Sequence, residues 1–178
     1  MQAILLLGVV FALLWFMVRS MTREKASRDR VEAITVRVRQ AHGIEDLFVS
    51  REDGGFVGLS GDGARIVLGR GDDGRSFPVA AITAIEGLRD GLVLIRAEPN
   101  GEPVAPAPVA EQDITDVPER IRSLSLRVTL DQDAHTILFF DGGRHGAEPI
   151  NEAFRSAAAQ TEAWFRKLST AMRLARSA

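Results

Sequence analysis

Six dipeptides punctuate the middle of the chain: Asp53-Gly54, Asp62-Gly63, Asp73-Gly74, Asp90-Gly91, Asn100-Gly101 and Asp141-Gly142. Asp or Asn followed by Gly supplies the positive φ that tight hairpins demand, and each pair lies between short apolar runs. The runs are therefore expected to be antiparallel strands, at 46–50, 56–60, 65–69, 77–86 (bent near Pro78) and 92–97. Regularly spaced short strands with turn signals indicate a meander, barrel or sandwich.

The pattern breaks at 98–118, EPNGEPVAPAPVAEQDITDVP, where proline, alanine and acidic residues predict a long loop with polyproline character. It is not a domain boundary. After it, Leu124, Leu126, Val128 and Leu130 alternate with Ser125, Arg127 and Thr129, and that apolar face must return to the earlier sheet. Residues 134–141, with Ile137 and Phe139, form the expected hairpin partner, which makes seven strands. A helix from about Asn151 to Ala175 closes the domain, with Asn151 as its cap and Pro149 limiting its start. Its apolar face, including Phe154, Ala157, Trp164, Phe165, Leu168 and Met172, needs a surface to pack on. The open end or face of the β domain is the expected place.

At the other end, residues 3–18 are uninterruptedly apolar. As a helix the run is roughly 24 Å long, short of the roughly 30 Å hydrocarbon core, so Arg19 would snorkel. Only Met1 and Gln2 precede it, which does not make a signal peptide. The expectation is a single transmembrane anchor over 1–20, with Leu5, Leu6, Phe11 and Leu14 in the apolar run and Trp15 and Phe16 at the interface. A core helix of a soluble protein is the alternative. Arg19, Arg23, Lys25, Arg28 and Arg30, against Glu24 and Asp29, place the body in the cytoplasm by the positive-inside rule. The expected location is thus the inner membrane, single-pass, with the N-terminus outside. Residues 21–43 are expected to continue as a helical connector, with Val31, Ile34 and Val38 on one stripe and Gly43 ending it. Ile34, Val36 and Val38 also alternate as a strand would. The remaining 44–178 form one β domain with its closing helix.

Net charge is −2, from 22 basic and 24 acidic residues, so no basic field suits nucleic acid. The absence of cysteine removes disulfides, thiolate metal sites and cysteine nucleophiles. Gly69-Arg70-Gly71-Asp72-Asp73-Gly74 matches GxGxxG, but a phosphate loop needs a helix immediately after it, and 75–79 reads as extended. A hairpin turn is expected there. His42, His135 and His145 lack metal-ligand spacing, and Asp131 and Asp133 read as a turn before they read as an acid–base pair. No catalytic, cofactor-binding or metal-binding residues are expected, and no small-molecule substrate is indicated. Trp164 and Phe165 are candidate partner contacts, with core packing as the alternative. Pro103 and Pro106 are a candidate docking strip.

Seven strands followed by one amphipathic helix resembles the pleckstrin-homology superfold. The residues that carry the resemblance are 77–91, 125–140 and the Trp164-bearing helix, which look like bacterial PH-like domains that follow a membrane segment. The resemblance implies a seven-stranded antiparallel barrel or sandwich capped by its last helix, and a binding or scaffolding module in place of a reaction. Lipid headgroup binding would call for basic residues at the first hairpin. Arg51, Glu52 and Asp53 supply one base against two acids. The function expected from the sequence is a non-enzymatic accessory or scaffold subunit, anchored in the bilayer and bound to protein partners in a membrane complex, for example a respiratory or photosynthetic one. The alternative is a tethered sensor or adaptor that binds a peptide or lipid headgroup transiently.

Overall fold

The computed structural model describes residues 2–101, 120–131 and 133–177, with the side chains of 2–14, 20, 23 and 177 outside the description. The chain opens with one continuous helix, α1 (Gln2–His42). Gly43 ends it with φ +62°, and the Gly43 N–H donates to the Arg39 carbonyl at 2.9 Å. Glycine reaches this left-handed conformation without the Cβ clash other residues meet. The alternation of Ile34, Val36 and Val38 is therefore the signature of a helix with one buried stripe.

Among the described residues eight strands follow: β1 (Ile44–Val49), β2 (Gly55–Ser60), β3 (Arg65–Arg70), β4 (Asp73–Pro78), β5 (Ile82–Arg89), β6 (Leu92–Ala97), β7 (Ser123–Leu130) and β8 (Asp133–Asp141). The first four form a meander in the order β1-β2-β3-β4, and the second sheet has the order β6-β5-β7-β8. All pairings are antiparallel. The helix α2 (Glu152–Ser177) completes the fold. The Asn151 side-chain oxygen accepts the Phe154 N–H at 3.2 Å, which caps the first turn.

The two sheets face each other across the main core. Val57, Leu59, Ile66 and Leu68 from the first meet Ile85, Leu126, Val128 and Ile137 from the second, while Phe165, Leu168 and Met172 of α2 plug the space between them. The other face of the first sheet is also covered. Ile34 and Val38 of α1, flanked by Val31, pack on Ile44, Val49, Phe56 and Val67. Period-2 alternation therefore sends β2 and β3 side chains into two separate cores, and five of the six β2 residues are buried. The order of layers is α1, first sheet, second sheet.

Several expectations are corrected here. Seven strands become eight, in two four-stranded sheets. The run expected as one strand at 77–86 is divided at Pro78 (φ −66°, ψ 139°), where a 3-10 turn (Val79–Ala81) intervenes and the Val79 N–H donates to the Ala64 carbonyl. Asp73-Gly74 is not a turn. It lies inside β4, and the bend is at Gly71, φ +60°. Among the described residues no helix is long and apolar enough to cross a membrane, which overturns the expected single span and the single-pass inner-membrane placement built on it. The side chains of Leu5, Leu6, Phe11 and Leu14 lie outside the described residues, and Pro103 and Pro106, expected as a docking strip in a long loop, fall in 102–119, which lie outside them altogether.

Candidate functional site

Among the described residues no group of three or more His, Cys, Asp or Glu side chains could hold a metal ion. Every buried side-chain nitrogen and oxygen among them has a hydrogen-bond partner. The three histidines are dispersed. His42 ends α1, His135 tilts against Phe77 on β8 at 5.7 Å between ring centroids, and His145 lies in a 3-10 turn after β8. Asp131 occupies the β7–β8 turn with φ +50°. The GxGxxG glycines have a packing role. Gly69 and Gly74 are cross-strand partners, and a Cβ on either would meet the Phe56 ring, at 2.5 and 3.0 Å.

The features that remain are surfaces. The first is the arm of α1 beyond its docked stripe. Trp15, Phe16, Met17 and Val18 are 62, 74, 60 and 57 % exposed, and Met21 is 62 % exposed. At about 100° per residue four consecutive residues wrap most of the helix, so no single face of the domain could cover them. Arg19, Lys25, Arg28 and Arg30 follow, all exposed, with Arg28 paired to Glu24 at 2.5 Å. The side chain of Arg23 lies outside the described residues. The arm is held at its root. Ser27 donates to the Arg51 carbonyl at 3.1 Å, and Arg37 pairs with Asp72 of the β3–β4 turn.

The second surface is a cleft of about 460 Å³ at that root, between α1 and the first half of α2. Phe48 of β1 and Phe139 of β8 stack across its floor, 3.9 Å between centroids and 6° from parallel. Arg51 and Glu52, both exposed, line it together. Burial raises the Glu52 pKa above the ordinary carboxylate range, and the negative charges of Asp141 and Asp53 raise it further, against a smaller opposing effect of Arg51.

A second cleft, about 300 Å³, opens where the β3–β4 hairpin meets the start of β8. Arg75 sits opposite Leu68 in the register and so lies on the inner side of its sheet, beside Arg70 and His135. Asp53 engages Arg70 at 2.7 Å. At the far end of α2 a groove of about 630 Å³ runs between Leu174 and the β2–β3 turn. In that turn the Ser60 hydroxyl and the Ala64 N–H donate to Asp62 and hold its pKa below the usual range.

Of the expected partner contacts, Phe165 is buried in the main core and Trp164 packs at its margin, with the Lys167 ammonium 5.2 Å from the Trp164 ring centroid. Lys167 also pairs with Asp46 at 2.8 Å. Both aromatic residues thus contribute to closing the sandwich. The sequence did not single out the two clefts, because each is assembled from strands and helices distant in the chain. The class of molecule so defined is a two-sheet antiparallel β domain plugged by one helix and held by another. Compared with family models, curated proteins and solved structures, the chain finds no match.

Proposed function

We propose that this protein is a non-enzymatic scaffold or accessory subunit, in which the β domain holds the α1 arm and a partner protein surrounds the arm's far end. The observation that carries the reading is the run Trp15, Phe16, Met17 and Val18, exposed on all sides of the helix. A helix apolar all round is stable when it is enclosed. Burying what remains exposed would contribute about 1 kcal/mol or more per side chain, a strong bias toward a bound state. The collar of Arg19, Lys25, Arg28 and Arg30 suits a partner with an apolar helical surface and an acidic rim. The binding module implied by the resemblance to PH-like domains is consistent with this role.

The test is native extraction followed by mass spectrometry of what co-migrates at fixed stoichiometry. One constant protein assembly is expected, lost in a Trp15→Asp, Phe16→Asp double variant whose β domain still melts cooperatively. A free monomer would overturn the proposal, as would association with protein-free lipid vesicles and with nothing else.

A second reading, a transient adaptor, is favoured by Arg75 and His135 lining one cleft on facing sheets. Two cationic or protonatable groups there suit an acidic side chain of a passing peptide. Loss of binding to an Asp- and Glu-rich peptide in Arg75→Ala would separate it from the first.

A further inference from the structure

We propose that Asn100 is a site of spontaneous covalent modification, where the chain converts its own asparagine to aspartate and isoaspartate without an enzyme. The inference does not depend on the arm being enclosed, since it stands on different residues. The chain has two asparagines, Asn100 and Asn151, and both are exposed. Conformation separates them. Asn100 precedes Gly101, and with no Cβ the glycine leaves its backbone nitrogen unhindered and free to rotate. The pair ends a turn from Glu98 to Gly101, closed by the Gly101 N–H donating to the Glu98 carbonyl at 3.3 Å, long for such a bond. The Asn100 side chain has no hydrogen bond among the described residues. Asn151 is held at three points. Its side-chain oxygen accepts the Phe154 N–H at 3.2 Å, its N–H donates to the Glu148 carbonyl at 3.0 Å, and its carbonyl accepts the Arg155 N–H at 3.0 Å. Glu152, the residue after it, opens α2, which fixes the nitrogen that would have to attack.

The reaction needs only water. The Gly101 amide nitrogen, its proton taken by hydroxide, attacks Cγ of Asn100. A C–N bond forms, the side-chain nitrogen leaves as ammonia with a proton from water, and a five-membered succinimide remains. Water then opens the ring at either carbonyl. One opening gives aspartate, and the other gives isoaspartate, with the backbone routed through the former side chain. The Asp-Gly pairs are poorer sites, because a carboxylate is a weaker electrophile than a neutral amide. Four of their carboxylates are also engaged: Asp53 accepts from the Gly55 N–H, Asp62 from Ala64, Asp90 from Arg122 and Ser123, and Asp141 from Gly143. Asp73 is fixed within the β4 ladder. Either product makes the chain one charge more negative than its net −2. The new carboxylate falls in the same turn as Glu98, whose partner Arg96 also holds the buried Glu86.

The test is incubation of the full chain in warm, mildly alkaline buffer, followed by peptide mapping by mass spectrometry. An isoaspartate-specific carboxyl methyltransferase with a labelled methyl donor gives a second readout. Asn100 is expected to convert about tenfold faster than Asn151 or more, since one nitrogen is free and the other is held by a capped helix. Its rate should rise in proportion to hydroxide, and its peptide should carry the methyl label. Unfolding in urea should speed Asn151 and leave Asn100 nearly unchanged. Gly101→Ala should slow the reaction about tenfold, because a Cβ hinders the attacking nitrogen and narrows the backbone. Asn100→Gln should lose both products. Equal rates at the two asparagines in the folded chain overturn the proposal, as does an Asn100 that reacts only after unfolding. Aspartate formed without isoaspartate also overturns it, because direct hydrolysis passes through no succinimide. These outcomes are independent of co-purification, so this site and the scaffold reading fail separately.

Discussion

Replacing Ile34 by Ala tests whether the second core, between α1 and the first sheet, is a real and separable unit. Ile34 is 4 % exposed and packs with Val38 against Val49, Phe56 and Val67. The substitution removes three carbons, worth about 0.8 kcal/mol each in transfer, and leaves a cavity that adds to the cost. The expected loss is therefore about 2–4 kcal/mol. It should fall unequally. The main core lies on the opposite side of the first sheet and keeps all its contacts, so the last turns of α1 should detach before the sandwich unfolds. Hydrogen exchange followed by mass spectrometry is the assay. Amides of 31–42 are expected to lose protection, with β5 and β7 nearly unchanged. Val36, 48 % exposed two residues away on the same helix, is the control. Val36→Ala should be neutral or slightly stabilising, because Ala has the higher helix propensity by roughly 0.5 kcal/mol. Equal effects of the two variants would refute the reasoning, as would a uniform loss of protection across both sheets.

Gly69→Ala should be among the most damaging single changes, because its Cβ would lie 2.0 Å from the Asp73 carbonyl oxygen and 2.5 Å from the Phe56 ring. A loss of the order of 3 kcal/mol or more is expected in urea unfolding, with no change if the hairpin were free to open. Asn151→Ala removes the cap of α2 and should cost about 1 kcal/mol, seen as a lower melting temperature. Glu52 predicts a pH dependence. Its folded pKa lies above the unfolded value, so the folded state binds more protons between the two, and stability falls as pH rises through that window from about 4.5 upward. Glu52→Gln should flatten this decline, and a decline of undiminished slope would contradict the assignment.

How far the sequence could be read varied with how local each determinant was. The stripe Val31, Ile34 and Val38 and the terminating Gly43 are local, and both were legible; that the stripe would lie on the outer face of the first sheet was not. The fourth strand was hidden because its inner face reads Asp73, Arg75, Phe77, mostly charged where a strand signal expects apolar residues. Its glycines suggested a turn at Gly74, yet Gly74 and Gly69 are paired within the ladder to admit Phe56 from a neighbouring strand, a purely tertiary demand. The strand order could not be read either. The alternation from Leu124 to Leu130 showed that β7 must join a sheet, but not that it would take the edge of β5 opposite to β6. The clefts were the least legible, since Glu52, Phe48, Phe139 and Ser156 come together only through the packing of four elements. The apolar run at the start gave the strongest local signal and the reading most in need of correction.

The plug helix has a consequence for how the molecule is made. α2 follows the eight described strands in the chain, so Phe165, Leu168 and Met172, which fill the main core, are translated after every strand they pack against. The first sheet is a meander of local hairpins and can pair as it emerges. The β5–β7 ladder must wait for contacts such as Glu86 with Arg127, 41 residues apart. Until α2 is translated, the inner faces of both sheets stand open, with the edges of β1, β4, β6 and β8 unpaired beside them. Nascent chains in that state are the species that chaperones bind and that aggregate when none is present. Shortening α2 before Phe165 should therefore change the fate of the protein in the cell, toward holdase capture and proteolysis, well before it changes anything a partner would recognise.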